Sequence, residues 1–266
     1  MDNQSPVEQA RDLLTRPVFN PVLDVAVGEG KLDYELYLRT NELLSLQIAP
    51  DELALPDELM FQIVHQAQEI WLKLLAHELA ELVGDLDDER LWDAATRLTR
   101  AVRIVHCLAE EIRVLETLTP DSYQVIRRHL GNGSGQQSPG YNRVSAVARL
   151  VRDALTRLLA RRDIELIRIY QDSAVDSDLK RLCESLLDLD EGYQTWLFTH
   201  YMLVRRTIGV QRDVAALDGV PTQVLVGRMT QPLFRDLWQV RARLTATWTR
   251  AGGTSPGTPR REGMAT

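Results

Sequence analysis

The stretch that decides the fold is DERLWDAATRLTRAVRIVHCLAEEIRVLETL, residues Asp88 to Leu118. Its apolar residues recur at alternating steps of four and three, at Leu91, Ala95, Leu98, Val102, Val105, Ala109 and Ile112. This spacing keeps one apolar seam along one side of an α-helix, which is typical of helices packed in a bundle. The stretch therefore predicts a long helix within an all-α fold.

The rest of the chain continues this helical pattern, and no run of strict alternation with hairpin turns appears. A second long helix is predicted from Pro56 to Val83, with its seam at Met60, Val64, Ala67, Trp71 and Leu74. Further helices are predicted at residues 5–15, 32–47, 121–130, 142–170, 178–208 and 221–248. We expect residues 1–249 to form a single all-α domain and residues 250–266 a disordered tail.

Composition narrows the class of partner. The net charge of -7 and the pI near 5.3 argue against nucleic acid or an anionic membrane as partner, since both select basic faces. The two cysteines, Cys107 and Cys183, lie in apolar helical stretches, so we expect no disulfides and a cytoplasmic location. No apolar run approaches the length of about 18 residues that a membrane span needs. A zwitterionic or neutral small molecule fits best.

Two histidines on predicted helices each have two interpretations. His200 shares an apolar seam with Tyr193, Leu197 and Val204. A lone imidazole there is commonly a core histidine with one hydrogen bond, but an axial haem ligand needs the same neutral nitrogen and apolar walls. His65 lies among polar neighbours, so it is read either as a helix-surface histidine or as a functional group. No histidine pair has the spacing of a helical zinc site.

Arg127 follows Tyr123 by one helical turn, so both side chains share a helix face. One interpretation is a solvated arginine, like its neighbour Arg128. The other is a guanidinium that grips a substrate carboxylate through two parallel hydrogen bonds. The residue pattern does not choose between them.

Several motifs occur in a fixed order along residues 34–244. The first are Y-x-x-Y-L at 34–38, L-L-x-x-Q at 43–47, D-E-L-x-F-x-x-x-H-Q at 57–66 and E-x-W-x-K at 69–73. The later ones are V-L-E-T-L-T-P-x-x-Y-x-x-x-R-x-x-L-G at 114–131, S-G-x-Q-S at 134–138, Y-Q-T-W-x-F-x-H-x-x-x-V-x-R-x-I-G at 193–209 and L-W-x-x-R-x-R-L at 237–244. In residues and in order, this set resembles the tryptophan 2,3-dioxygenases, and a chance match of several independent motifs is improbable.

The resemblance implies a role for each matching residue. His200 matches the axial ligand of the iron in haem b, and His65 matches the catalytic distal histidine beside the indole N–H. Tyr123 and Arg127 match the pair that meets the substrate carboxylate. The other matches to substrate-binding positions are Phe61, Leu130, Ser134, Gly135, Tyr34, Tyr37 and Leu38. The implied fold is a helical bundle that encloses a haem pocket.

The resemblance also implies an assembly. Tyr34, Tyr37 and Leu38 match an N-terminal element that reaches into a neighbouring subunit's site in the family. Members of the family are homotetramers, so we expect a homotetramer in which the short N-terminal helices contact a neighbouring subunit.

Two departures from the family's pattern fall at the pocket. After the proximal helix the family carries a Gly-Thr-Gly-Gly loop whose threonine meets the substrate's ammonium and carboxylate groups. Here residues 210–219 read VQRDVAALDG, and the threonine's place, counted from His200, falls on Val214. Gln136 stands where the family has an aromatic residue. We therefore expect the loss of a closing lid and a changed pocket edge.

The function implied by the resemblance is haem-dependent oxygenation of a tryptophan-type substrate with O2. Cleavage of the indole C2–C3 bond would give N-formylkynurenine. The altered loop leaves monooxygenation to an oxindole or a hydroxylated product open as an alternative. More distant alternatives are a relative that hydroxylates tyrosine and a haem-binding sensor without turnover.

Overall fold

The described part of the chain is almost entirely helical. The computed structural model describes residues 5–15, 32–171, 177–211, 214–222, 227, 231–248 and 256–257. The α-helices are α1 (Pro6–Thr15), α2 (Asp33–Leu38), α3 (Thr40–Leu44), α4 (Asp57–Asp87), α5 (Leu91–Glu111), α6 (Pro120–Arg127), α7 (Pro139–Arg161), α8 (Arg168–Gln171), α9 (Ser177–Thr207) and α10 (Arg235–Thr247). Two 3-10 helices cover Ile112–Thr117 and Gly135–Gln137. The predicted all-α fold is confirmed.

The described residues divide into two compact units, Met1–Ala49 and Pro50–Thr266. Helices α2 and α3 of the first unit contain no buried residue. The single domain expected over residues 1–249 stays a prediction. The predicted tail, residues 250–266, lies outside the described residues except at 256–257.

Three predicted helices differ from the observed ones. The helix expected at 32–47 is broken between α2 and α3 at Arg39, whose φ of 53° lies in the left-handed region. The helix expected at 142–170 ends at Arg161, and a separate short helix, α8, follows. The helix expected at 221–248 does not start at Pro221, which forms a β-bridge with Ala215, and the helix α10 begins at Arg235. Among the described residues, no helix has the length and apolar character to cross a bilayer.

Four long helices of the second unit form the core. Helix α4 packs against both α5 and α7, and α9 packs against α5. Within the predicted α5 seam, four residues are buried: Leu98, Val105, Ala109 and Ile112. The other three, Leu91, Ala95 and Val102, are half-buried. The heptad-like spacing therefore located the packed side of this helix.

The predicted seam of α4 is confirmed in part. Of its five residues, Val64 is buried and Met60, Trp71 and Leu74 are half-buried against the core, while the fully buried side chains continue along Leu72, Leu75, Leu79, Leu82 and Leu86. This buried face begins with a polar residue, Gln68, so the spacing of apolar residues alone does not identify it. The Gln68 side chain donates from Nε2 to the Leu108 carbonyl at 2.8 Å and accepts at Oε1 from Trp196 Nε1 at 2.8 Å. Gln68 is thus satisfied inside the core and links α4, α5 and α9.

A buried carboxylate fastens the C-terminal helix to α9. Asp190 is fully buried. It accepts four hydrogen bonds of 2.9 to 3.0 Å, from Gln194 Nε2, the Leu233 and Phe234 backbone N–H groups, and Trp238 Nε1. Each carboxylate oxygen of Asp190 therefore accepts two hydrogen bonds, and these neutral N–H donors, rather than a cation, stabilise its charge.

Asp190→Asn is expected to lower the free energy of unfolding by about 2–3 kcal/mol, because an amide nitrogen would face donors and leave buried N–H groups unpaired. Urea unfolding followed by circular dichroism measures this change. The matched control is Asp188→Asn on the exposed side of the same helix, which should stay within about 0.5 kcal/mol of the wild type. Equal effects of the two substitutions would contradict the assigned role.

Candidate functional site

A cavity of about 410 Å³ lies within the unit Pro50–Thr266. This volume falls in the range of about 300–1,000 Å³ found for small-molecule and cofactor sites. Most of its wall is apolar, and α4, α6 and α9 contribute to it. Eight of the residues predicted from the sequence line this cavity: Phe61, His65, Tyr123, Arg127, Leu130, Ser134, Gly135 and His200. The fold thus brings together side chains that are far apart in the chain.

His200 faces the cavity from the C-terminal part of α9. Although part of the imidazole borders the cavity, surrounding protein desolvates the ring and lowers its pKa to about 4, with a smaller contribution from repulsion by His65. The ring is therefore neutral at pH 7. A Cβ added to Gly135 would lie 3.4 Å from His200 Cε1 and 3.5 Å from Nε2, so the loop that carries Gly135 runs directly beside the imidazole.

The geometry around His65 assigns its tautomer. Its Nδ1 lies 2.7 Å from the carbonyl oxygen of Phe61, one turn earlier on α4. Because a carbonyl can only accept, Nδ1 carries the proton and Nε2 is left as an acceptor. Desolvation lowers the pKa of His65 below its usual 6.5, against the opposing effects of the Phe61 hydrogen bond and the Glu69 charge. The Phe61 ring packs against the imidazole, with 4.2 Å between ring centroids.

The desolvated imidazoles of His65 and His200 make the stability of the protein depend on pH. The unfolded chain takes up protons at His65 and His200 near pH 6.5, whereas the folded chain resists protonation at both, and at His200 down to about pH 4. The unfolded state therefore binds more protons in this window. We expect the free energy of unfolding to fall as the pH is lowered from about 6.5 towards 4.

Urea unfolding at a series of pH values measures that decline. Carboxylates titrate in the same region, so the comparison is made with the double variant His65→Gln/His200→Gln. The double variant should show a shallower decline between pH 6.5 and pH 5. The same slope in both proteins would show that the two imidazoles are not protected from protonation.

Helix α6 presents Tyr123 and Arg127 to the cavity. The helix is capped by the Thr119 side chain, which accepts from the Ser122 N–H, and starts at Pro120. Burial raises the pKa of the Tyr123 hydroxyl, partly offset by the charge of Arg127. Arg127 Nη2 donates to the carbonyl oxygen of Ala215 at 2.9 Å. No acidic side chain within the described ranges pairs with Arg127, so its charge is not neutralised there.

Residues 214–222, which include Val214 at the position expected from the resemblance for a loop threonine, form a small hairpin. Ala215 and Pro221 form an antiparallel bridge, and the cavity wall includes Ala216 and Leu217. The expected loss of a lid stays a prediction, and the hairpin forms part of the cavity wall. Asp218-Gly219, a common turn pair, is the sequence signal that could have revealed it.

Glu69 is a site residue that sequence reasoning missed. Its carboxylate accepts from the Ser138 hydroxyl and, at 2.9 Å, from the Gly140 backbone N–H. It thereby fixes the start of α7 and the end of the loop that carries Gly135. Gly140 permits this approach, because a Cβ there would lie 2.6 Å from Leu72 Cβ.

Tyr34, Tyr37 and Leu38 lie on or beside the short helix α2 in the unit Met1–Ala49. All three side chains are exposed, and Tyr37 is 88% exposed. Their predicted contact with a neighbouring subunit stays a prediction.

Comparisons with known proteins agree on one family. The sequence model described as tryptophan 2,3-dioxygenase matches residues 21–148, a range that includes His65 and Arg127. A tryptophan 2,3-dioxygenase of Myxococcus xanthus (strain DK1622) is 32% identical, with 81% of this chain and 91% of the relative aligned. One of Xanthomonas euvesicatoria pv. vesicatoria (strain 85-10) is 33% identical over 80% of this chain and 88% of its own length. A third, of Xanthomonas oryzae pv. oryzae (strain PXO99A), is 32% identical with the same coverage, 80% and 88%.

Proposed function

This chain belongs to the tryptophan 2,3-dioxygenase family, a family of oxidoreductases, and from that premise we propose that it is a haem-dependent oxygenase of the indole ring of L-tryptophan or a substituted tryptophan. The proposed reaction adds both atoms of O2 at C2 and C3 and gives N-formylkynurenine. The observation that carries the proposal is the convergence of His200, His65 and Arg127 on one largely apolar cavity.

The residues around the cavity fit a haem b. His200 offers an imidazole that is neutral at pH 7, as an axial ligand must be, and the surrounding wall is mostly apolar. Within the described residues, the side-chain nitrogen of Gln136 is buried without a hydrogen-bond partner, as expected where a bound group supplies the acceptor. When bound, the haem iron supplies the binding and activation of O2.

The carboxylate of the substrate is held, in this proposal, by the Arg127 guanidinium. The contact is charge-assisted and fixes the orientation of the amino acid. The Tyr123 hydroxyl is protonated at neutral pH, burial raises its pKa further, and it donates to the same carboxylate. Because these two residues fix the carboxylate end of the substrate, they also set the position of its indole ring. Such positioning of the two reactants supplies a large part of catalysis.

In this proposal, His65 contacts the indole end of the substrate. Its Nδ1 proton is committed to the Phe61 carbonyl, so Nε2 accepts the hydrogen bond of the indole N–H and holds or receives that proton. The Phe61 ring provides a flat apolar surface beside it for the indole. Ala216 and Leu217 of the hairpin help to exclude water from the pocket.

The test uses purified protein loaded with haem and reduced, then given O2 and L-tryptophan, with products identified by mass spectrometry. We expect a product heavier than tryptophan by two oxygen atoms. A gain of one oxygen would replace this proposal with a monooxygenase, and no oxidised product from tryptophan or its ring-substituted and β-substituted relatives would refute it.

The proposed assembly is a homotetramer in which Tyr34, Tyr37 and Leu38 of one protomer complete the site of its neighbour. Their exposure supports this proposal, because exposed aromatic and aliphatic side chains are typical of interfaces. We expect light scattering to give a tetramer, and Tyr37→Ala to weaken tryptophan binding without changing haem content. A monomer that binds tryptophan as tightly as the wild-type assembly would contradict it.

A further inference from the structure

Gln136 is a polar residue of the cavity wall whose side chain the proposed reaction does not use. It lies in the 3-10 helix Gly135–Gln137 and lines the cavity. Its backbone is held on both sides, because its N–H donates to Ser134 Oγ at 3.3 Å and its carbonyl accepts from Asn142 Nδ2 at 3.1 Å. The Gln136 side chain therefore starts from a fixed backbone.

The side-chain nitrogen of Gln136 is buried and has no acceptor within the described part of the chain. A buried N–H group without a partner costs free energy, and an apolar residue of similar shape would avoid that cost. By resemblance, the family has an aromatic residue at this position. An amide here is therefore best explained by a bound group that supplies the acceptor.

Other polar side chains of the cavity wall already have partners. The amide of Gln68 is paired at both ends. The carboxylate of Glu69 accepts from the Ser138 hydroxyl and the Gly140 backbone N–H. These groups hold the wall together, whereas the Gln136 amide is directed to no described protein group.

L-Tryptophan has no further acceptor group for this amide. In the proposed function, Arg127 and Tyr123 hold its carboxylate, and its ammonium and indole N–H groups can only donate. The benzene ring of the indole carries no polar atom. We infer that Gln136 donates a hydrogen bond to an oxygen substituent on that benzene ring, so that the pocket prefers a hydroxylated tryptophan to tryptophan itself. This inference rests on the proposed function.

A haem propionate is the other acceptor that a loaded site would hold. A propionate carries a full charge at the porphyrin edge, and such a charge is best stabilised by a cation or by water. Gln136 offers a neutral amide whose nitrogen is shielded from water. Its neighbour Gly135 lies beside the imidazole of His200, which would meet the centre of the porphyrin rather than its edge. A neutral hydroxyl is therefore the better match for the amide.

The test measures affinity by calorimetry, with haem-loaded protein, L-tryptophan and a panel of tryptophans hydroxylated at C4, C5, C6 or C7 of the indole. At least one member of the panel should bind wild-type protein about tenfold or more tightly than tryptophan, because its oxygen pairs with the buried amide. Gln136→Met keeps an unbranched side chain of similar length but has no N–H donor, so it should bring this affinity ratio close to one.

Gln124→Met is the matched control. Gln124 is exposed on α6 and lies outside the cavity wall, so the affinity ratio of this variant should equal that of the wild type. Circular dichroism checks that the Gln136→Met protein is folded. If it is not, Gln136→Leu, which also lacks a donor, takes its place with the same expected ratio.

The affinity for haem distinguishes the two sources of the acceptor. If the partner is a substrate hydroxyl, Gln136→Met should leave haem affinity within about twofold of the wild type. Weaker haem binding with an unchanged affinity ratio would assign the amide to a propionate and overturn the inference. Equal weakening of tryptophan and of the whole panel would also overturn it, since the contact would then be to a group that all the ligands share.

A wild-type protein that binds no hydroxylated tryptophan more tightly than tryptophan would refute the inference directly. The product assay by mass spectrometry is separate from these affinities. Oxygenation of tryptophan without any preference for a hydroxylated one refutes only the inference. A clear preference in binding without oxygenation of any ligand refutes only the proposed function.

Discussion

Replacement of His200 by alanine is expected to abolish haem binding and to leave the helical bundle folded. The imidazole is the proposed axial ligand, and its lowered pKa means that no proton has to be removed before it coordinates iron at pH 7. Alanine offers no ligand atom, and an apolar cavity alone gives a porphyrin no fixed position. The expected result is loss of the histidine-ligated absorption spectrum and of bound iron.

Folding of the variant can be checked independently. His200 makes no hydrogen bond to any residue that the structure describes, so its loss should leave the circular dichroism spectrum unchanged. His77→Ala is the matched control, because His77 is exposed on α4 and outside the cavity wall. It should retain haem fully. A His200→Ala protein with a wild-type spectrum would remove the basis of the proposed function.

Arg127→Ala is expected to raise the KM for tryptophan at least about 30-fold. Truncating one partner of a buried, hydrogen-bonded charge pair typically costs about 2–5 kcal/mol, much of it from the charge left unpaired. The variant also loses the anchor of the hairpin at Ala215, which should increase hydrogen exchange in residues 214–222 even without substrate. Haem content should not change.

The neighbouring arginine provides the control for this experiment. Arg128 is exposed and does not line the cavity, so Arg128→Ala should leave KM within about twofold of the wild type. If both variants show the same KM, Arg127 is a solvated arginine, which is the other interpretation that the sequence left open. A loss of haem in Arg127→Ala would instead indicate a structural role.

The sequence predicted eight residues that line the cavity, and their roles stay predictions. His65, Arg127 and His200 were each ambiguous from their neighbours, and the order of motifs along the chain selected their interpretation. In the structure all three line one cavity. The predicted α4 seam missed part of the buried face because the sequence pattern counts a glutamine as polar, whereas Gln68 is buried with both ends of its amide paired.

By itself, the sequence determined the helical class and the run of α5, because apolar periodicity is a local property of the chain. The order of motifs along the whole chain, by resemblance to a family, indicated which residues line the cavity. Tertiary structure alone decided which polar groups are buried, which nitrogen of His65 carries the proton and what closes the pocket beside Arg127. Each of these depends on a partner distant in sequence or on backbone geometry, such as Asp190 with Phe234 or Arg127 with Ala215. The residue pattern of a single segment does not identify such a distant partner.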